Sequence, residues 1–260
     1  MENTSKIDIE NAAAEAIKEA VPWHTVGIIT RDKGIAESGI GTGAAIEWHA
    51  HFIILTAKHV IQDTPHDELR LFLRPSEPLE TSTVTDVNAA TLGLESRRRL
   101  PIRSVVLSDD DDIALIELDA TSTSIDKLRF HVPEPNTATP PPGETVTVAG
   151  YPSDCGHVVA AGAIAAFLTM QATFIEQPRG LRDHDPSSCF LMKHEFATEG
   201  VHARGFSGAG VWWRRSIASG LWHANLELAG IATNYYAHSQ LLEALKIERV
   251  ISFLQCTYPE

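Results

Sequence analysis

A serine hydroxyl set between glycines is the first place in this 260-residue chain where chemistry could be done. It lies in Gly205-Phe206-Ser207-Gly208-Ala209-Gly210, followed at once by the apolar run Val211-Trp212-Trp213. Serine alone is a weak nucleophile, because its hydroxyl stays protonated near neutral pH. It becomes effective when a histidine takes the proton and backbone N–H groups hold the oxyanion that forms. Gly205 can turn its N–H toward a substrate without steric penalty. A base and an acid are then needed. Leu55-Thr56-Ala57-Lys58-His59-Val60 puts a histidine at the end of an apolar run, and Asp109-Asp110-Asp111-Asp112-Ile113-Ala114-Leu115 puts carboxylates at the start of another. Four consecutive aspartates are by default a solvated turn. A calcium loop would need spaced oxygen ligands and a glycine that this run lacks.

The elements that must position these groups read mainly as short strands. Ile7 to Ala20 has a modest apolar stripe at helical period and is stopped by Pro22. Thr25–Thr30, Gly41–Ile46, His51–Thr56, Glu68–Leu73, Ile102–Leu107 and Ile113–Leu118 are strand-like, with turn residues between them. Residues 133–143 carry Pro133, Pro135 and Pro140-Pro141-Pro142 and read as a linker. Strand pattern resumes at Thr145–Ala149. Val158–Thr173 fits one or two hairpins or a buried helix, which period cannot separate. Gln177–Ser188 is polar and loop-like. A late strand follows at Leu226–Ala232, and Leu241–Leu254 returns to helical period. Little helix among many short strands points to an all-β barrel or sandwich. The expected division is an N-terminal helix (1–20), a β-barrel (21–132), the linker (133–143), a second β-barrel (144–240), and a C-terminal helix and tail (241–260).

Composition bounds the rest. The formal net charge is −13, with 43% hydrophobic and 21% charged residues. That balance argues against nucleic acid as a partner and weakly favours basic or neutral ones. No apolar run approaches the roughly 20 residues of a membrane helix, so no membrane association is expected. The N-terminus lacks the plan of a secretory signal. Cys155, Cys189 and Cys256 are an odd number and read as reduced thiols. Together these features predict a cytoplasmic protein. His49-Ala50-His51 would put two imidazoles on one strand face, yet no third ligand at zinc spacing lies nearby, so no metal is expected. Trp212-Trp213 reads as one ring in the core and one outside.

The order His, Asp, Ser resembles the chymotrypsin/trypsin-like serine peptidases, in style the bacterial, HtrA-type members without a PDZ segment. Thr56-Ala57-Lys58-His59, Asp112-Ile113-Ala114-Leu115 and Gly205-Phe206-Ser207-Gly208-Ala209 are similar to the family's three active-site segments. Weaker echoes lie in Gly41-Thr42-Gly43, Gly143-Glu144-Thr145-Val146, Gly150-Tyr151-Pro152 and Gly230-Ile231. The resemblance implies two six-stranded antiparallel β-barrels with the site in the cleft between them. It also implies roles: Ser207 as nucleophile, His59 as base and then acid, Asp112 orienting the imidazole, and the N–H groups of Gly205 and Ser207 as oxyanion hole. Only Asp112 has the family's Ile-Ala-Leu directly after it; Asp111 is the fallback. No cofactor is required, and the substrate would be a protein or peptide.

Two departures bear on function. Phe206 replaces the acidic residue that secreted trypsin-like enzymes pair with a new N-terminus, so that zymogen switch is not available. Val201 stands where trypsins carry the aspartate of the specificity pocket, which argues against Lys/Arg preference. The resemblance puts Thr233, Asn234 and Tyr235 on the pocket wall, with Tyr235 narrowing it for a small or apolar residue. His202 could pair with an acidic side chain, but Ala232 stands where glutamyl endopeptidases place their key histidine. Arg204 would line the cleft rim. The expected function is a serine endopeptidase. The alternative is a latent or inactive protease-fold binding protein, because Phe206 or Tyr235 could distort the site.

Overall fold

The computed structural model describes residues 16–17, 19–31, 38–73, 100–121, 125, 128–152, 156–159, 162–165, 167–176, 181, 184–194, 205–214 and 226–259. Ala16, Ile17, Glu19 and Ala20 are helical, and the rest of the expected N-terminal helix lies outside the described residues. A 3-10 turn at Val21–His24 leads into the strands.

The strands are β1 (Thr25–Arg31), β2 (Ser38–Trp48), β3 (His51–Thr56), β4 (Arg70–Leu73), β5 (Ile102–Leu107), β6 (Ala114–Leu118), β7 (Thr145–Gly150), β8 (Gly156–Val159), β9 (Gly162–Ala165), β10 (Leu168–Ile175), β11 (Cys189–His194), β12 (Gly210–Trp213), β13 (Glu227–Tyr236) and β14 (Leu241–Lys246). Besides the helical residues before Val21, two helices complete the order among the described residues: α1 (Lys58–Ile61) after β3, and α2 (Ile247–Thr257) after β14. The first six strands form an antiparallel sheet in the order β4-β1-β2-β3-β6-β5, a half-barrel among the described residues. Six later strands close into an antiparallel barrel, β10-β11-β14-β13-β12-β7, while β8 and β9 pair as a separate hairpin. This is the double-barrel arrangement of trypsin-like proteins.

Three apolar clusters hold the arrangement. Val26, Ile28, Ile54, Ala114 and Ile116 fill the first sheet's concave side. Phe190, Phe206, Val211, Trp213 and Leu242 belong to the second barrel's own cluster. A third cluster joins both units to α2, through Ile53, Leu55, Leu115, Tyr151, Trp212 and Leu254. Successive strand residues therefore enter different clusters: Ile54 faces one and Ile53 and Leu55 the other. That is why Phe52–Leu55 and Ile113–Ile116 are continuous apolar runs and do not alternate. Fully burying each such side chain stabilises the fold by roughly 1.5–3 kcal/mol.

Several expectations are corrected. The helix expected from Leu241 begins at Ile247, because Leu241–Lys246 is β14, paired with β11 and β13. Leu241, Leu242, Ala244 and Leu245 are buried because both faces of this strand are covered, and that spacing mimics a helical stripe. β11 occupies a stretch with no expected element, since Cys189–His194 has neither clean alternation nor turn signals of its own. Val158–Thr173 resolves into strands and not a helix. Both tryptophans are buried, on opposite faces of β12: Trp212 enters the joining cluster and Trp213 the barrel cluster. His49 and His51 do not share a strand face. His49 (φ 46°) and Ala50 (φ 64°) make the two-residue turn between β2 and β3, and His51 Nδ1 lies 2.9 Å from Glu117 Oε1.

Candidate active site

His59 is placed by the end of β3. The strand closes at Thr56, Ala57 stays extended as the cap, and α1 turns His59 outward. The acid comes from the neighbouring strand, since β3 pairs with β6 and the Asp run is the turn entering β6. That turn is pinned at Ser108. Its N–H donates to Ile113 O (3.0 Å), its Oγ accepts the Asp111 N–H (3.1 Å), and its carbonyl accepts Lys58 Nζ (2.6 Å). Asp112 then faces His59 with both oxygens. Oδ1 accepts the His59 backbone N–H at 2.9 Å, and Oδ2 lies 2.7 Å from Nδ1 of the ring.

Burial by itself would raise the Asp112 pKa. The hydrogen bonds from the His59 ring and amide, the ring's charge and the Lys58 amide outweigh it, so the carboxyl titrates below its ordinary range. An ionised carboxylate at Nδ1 requires the proton on that nitrogen, which leaves Nε2 as the acceptor. Asp111 points elsewhere: Arg249 on α2 donates to it, Nη2 to Oδ2 at 2.8 Å and Nε to Oδ2 at 3.1 Å.

The serine loop crosses from the second barrel to the first. Gly205 (φ 92°) and Gly208 (φ 85°) both need the left-handed region that favours glycine. A Cβ at Gly208 would meet Thr42 O at 2.1 Å and Thr56 Oγ1 at 2.2 Å, so glycine alone lets the loop lie against β2 and β3. The Phe206 ring is fully buried in the barrel cluster. Around it the backbone is tied down. Ala209 N–H donates to Phe206 O (2.8 Å), Gly208 N–H to Ala232 O (2.7 Å) and Thr42 N–H to Ser207 O (3.2 Å). Among the described residues, the N–H groups of Gly205 and Ser207 have no protein acceptor.

His59, Asp112, Gly205 and Ser207 border one cleft of about 910 Å³. Thr233, Asn234 and Tyr235 border it as well. Val201, His202 and Arg204 lie outside the described residues. Among the described residues no hydrogen bond joins Ser207 to the His59 ring. Tyr235 is half-buried, with its ring centroid 5.5 Å from that of His194 and its N–H donated to Asn234 Oδ1 at 2.8 Å. Cys189 also borders the cleft, but burial pushes its thiol up to about 11, so it is no competing nucleophile near neutral pH.

Sequence reasoning passed over three contributors. Thr42 was visible only as part of Gly41-Thr42-Gly43, with nothing local to reveal its partners. Arg249 sits in the amphipathic C-terminal stretch, where a basic residue reads as solvated. Glu243, on the cleft wall, accepts from Tyr236 Oη (3.0 Å) and contacts His184 Nδ1 at 2.6 Å. No sequence spacing links those three residues.

No curated protein matches the chain in sequence. Solved structures do match in shape. A scabies mite inactivated protease paralogue, S-I1, superposes with TM-score 0.59 and 19% identity, over 91% of this chain and 94% of that one. The Rv3671c protease of M. tuberculosis in its active form gives TM-score 0.56 and 14% identity, over 92% and 82%. A serine endoprotease from Yersinia pestis gives 0.53 and 18%, over 94% of this chain and 65% of that one. At these identities the likeness is one of fold. The family model described as trypsin-like peptidase domain matches residues 41–215, from within β2 to just past β12, and on that match the chain belongs to the trypsin-like peptidase family.

Proposed function

We propose that the chain is a serine endopeptidase, with Ser207 as nucleophile, His59 as general base and acid, and Asp112 as the group that orients the ring. The observation that carries this reading is the two-point contact of Asp112 with His59, at 2.9 and 2.7 Å, in the cleft that Ser207 also borders. The contact supports Nδ1 carrying a proton and Nε2 facing the serine side as acceptor. Ser207 Oγ attacks the scissile carbonyl and passes its proton to Nε2. The imidazolium that forms is stabilised by the Asp112 carboxylate, and it returns the proton to the leaving amine. The carbonyl oxygen, now negative, is met by the N–H groups of Gly205 and Ser207, which have no protein acceptor among the described residues. Water repeats the sequence to release the acyl group.

For specificity, Tyr235 on the cleft wall favours a small or apolar residue before the scissile bond. Val201 supplies no carboxylate for Lys or Arg. The substrate is a protein or peptide, and the site needs no cofactor.

A second reading, a latent form, is favoured by one observation: no hydrogen bond joins Ser207 to His59 among the described residues. A fluorophosphonate probe separates the two. Labelling of the wild-type protein that Ser207→Ala removes supports the peptidase. Absence of labelling, with and without a peptide library present, supports the latent form. The same library, read by its cleavage products, ranks residues before the scissile bond; a predominance of Lys or Arg would overturn the pocket assignment.

A further inference from the structure

Thr42 lies on β2 of the first sheet, wholly buried, and each of its polar groups is used. Its N–H donates to Ser207 O (3.2 Å), and its carbonyl accepts Thr56 Oγ1 (2.7 Å). Its hydroxyl meets two backbone groups of the second barrel: Gly205 O at 2.8 Å and the Tyr151 N–H at 3.0 Å. We propose that the Thr42 hydroxyl is a positioning residue for the oxyanion hole, fixing the Gly205 carbonyl and through it the aim of the Gly205 N–H.

The direction of these bonds follows from their chemistry. An amide N–H can only donate, so Oγ1 accepts from Tyr151. The hydroxyl has one proton, which is therefore committed to Gly205 O. Gly205 has φ 92° and no side chain, so nothing intrinsic to the residue selects one orientation of its peptide planes. Pinning its carbonyl fixes the 205–206 peptide plane and removes the freedom in ψ, so the N–H, on the preceding plane, can turn only about φ. The Phe206 ring, buried in the barrel, places the next residue. Apolar packing of that ring is non-directional: it can seat the loop, but it cannot orient a peptide plane. The hydroxyl supplies the direction. The space around it is closed, since a Cβ at Gly150 would come within 2.8 Å of Thr42 Oγ1 and 3.0 Å of the Phe206 ring. A rotated hydroxyl or an intruding water would find little room.

Thr42 touches neither substrate nor reacting atoms, and its catalytic part of the proposal rests on the peptidase reading above. The test uses Thr42→Val, which keeps the branched shape and removes the hydroxyl, and Thr42→Ser, which keeps the hydroxyl. Full loss of one oxyanion donor costs about 10²–10³ in rate, and a donor left in place but misaimed should cost about 10–100-fold. Thr42→Val should lower kcat by that factor with KM changed less than about twofold, and Thr42→Ser should recover activity to within about threefold. Affinity for a peptide boronate, which forms the tetrahedral adduct, should fall in step with kcat/KM. If Thr42→Val unfolds more easily but keeps wild-type kcat, or if Thr42→Ser fails to restore it, the proposal is overturned.

Amide hydrogen exchange keeps this result separate from the peptidase reading. In Thr42→Val the hydrogen-bonded amides of Tyr151, Gly208 and Ala209 should exchange at least about tenfold faster, with Thr42→Ser restoring protection. An inactive wild-type protein with this exchange pattern would sink the peptidase reading alone. Unchanged exchange would sink the positioning role, whatever the activity. Thr42→Ala takes the same measurements should the valine variant not fold.

Discussion

Arg249 on α2 and Asp111 in the acidic turn form a two-nitrogen contact, Nη2 at 2.8 Å and Nε at 3.1 Å from the same carboxylate oxygen. The C-terminal helix thereby braces the residue next to the one that holds His59. Asp111 raises the Arg249 pKa through that hydrogen bond first and its charge second, so the guanidinium stays charged. Arg249→Gln should slacken the turn without touching the site. The expected outcome is a fall in kcat/KM of about 3–10-fold. The stability change should stay under about 1 kcal/mol, the usual scale for an exposed pair. Kinetics and a urea titration on one preparation check both; a loss above about 3 kcal/mol would show that the bond serves folding and not alignment.

Asp112→Asn keeps the shape of the acid and removes its charge. The amide can donate to Nδ1 and thereby favours the wrong tautomer, so kcat should fall by about 10⁴ in the general template for this triad. Asp112 bears on stability as well. Its folded pKa is depressed, so its stabilising contribution is present above the unfolded value of about 3.9 and is lost as pH falls through the lower folded value. Steady-state rates beside acid-unfolding curves for the two proteins give both effects. An Asn variant within tenfold of wild type would remove Asp112 from the mechanism.

A half-buried histidine pair predicts where acid weakens the joint between the barrels. The rings of His24 and His131 both pack on Trp212, each with its centroid 5.2 Å away. Burial and the neighbouring His24 pull the His131 pKa down to about 4, and burial lowers that of His24 too. Both are neutral when folded, while the unfolded chain takes up protons near pH 6.5. Stability is therefore lost as pH falls from about 6.5 to 4, by on the order of 3 kcal/mol for His131. Urea midpoints across that range check the slope, and His131→Gln should flatten it. An equal slope in the variant would move the acid sensitivity elsewhere.

Much of the candidate site is legible in the sequence because its parts are local. His59 ends one apolar run, Asp112 opens another, and Ser207 sits between glycines; each is a short motif. The strands were legible for a similar reason: runs such as Phe52–Leu55 have strand length and turn residues at their ends. What stayed hidden depends on pairing across the chain. Thr42 and Gly205 are 163 residues apart, and a hydroxyl in a strand carries no mark of its acceptor. β14 reads as helix in the sequence because a strand with both faces covered can carry apolar residues at i, i+1, i+3 and i+4, as a helix face does. One ring of Trp212-Trp213 is expected outside because strict alternation assumes one wet face, and β12 has none.

Gly208→Ala tests how closely the serine loop must approach the first sheet. The added Cβ would lie 2.1 Å from a backbone carbonyl oxygen of β2 and 2.2 Å from Thr56 Oγ1, at a φ of 85°. Neither strand can retreat without breaking its ladder. The expected cost is about 3 kcal/mol or more, combining the clash with the strained φ. The variant should lose both thermal stability and probe labelling. Wild-type melting behaviour would mean that the loop sits further from β2 than these distances state.

Phe206→Asp puts back the acidic residue found in secreted relatives of this type, and it should be the most damaging change in the loop. The Phe206 side chain is wholly buried in the apolar cluster that holds Val148, Met192, Ala209 and Leu242. A carboxylate moved into such apolar surroundings would either ionise at a cost of several kcal/mol or stay protonated and leave a cavity. Truncation alone costs about 3–5 kcal/mol at a buried Phe. Phe206→Leu should cost only about 1–2 kcal/mol, since it keeps most of the apolar volume. Chemical denaturation ranks the two, and labelling of the folded Leu variant shows whether seating the loop by volume suffices. If Phe206→Asp folds with wild-type stability at pH 7, a buried positive partner must face residue 206, and apolar packing is not what seats the loop.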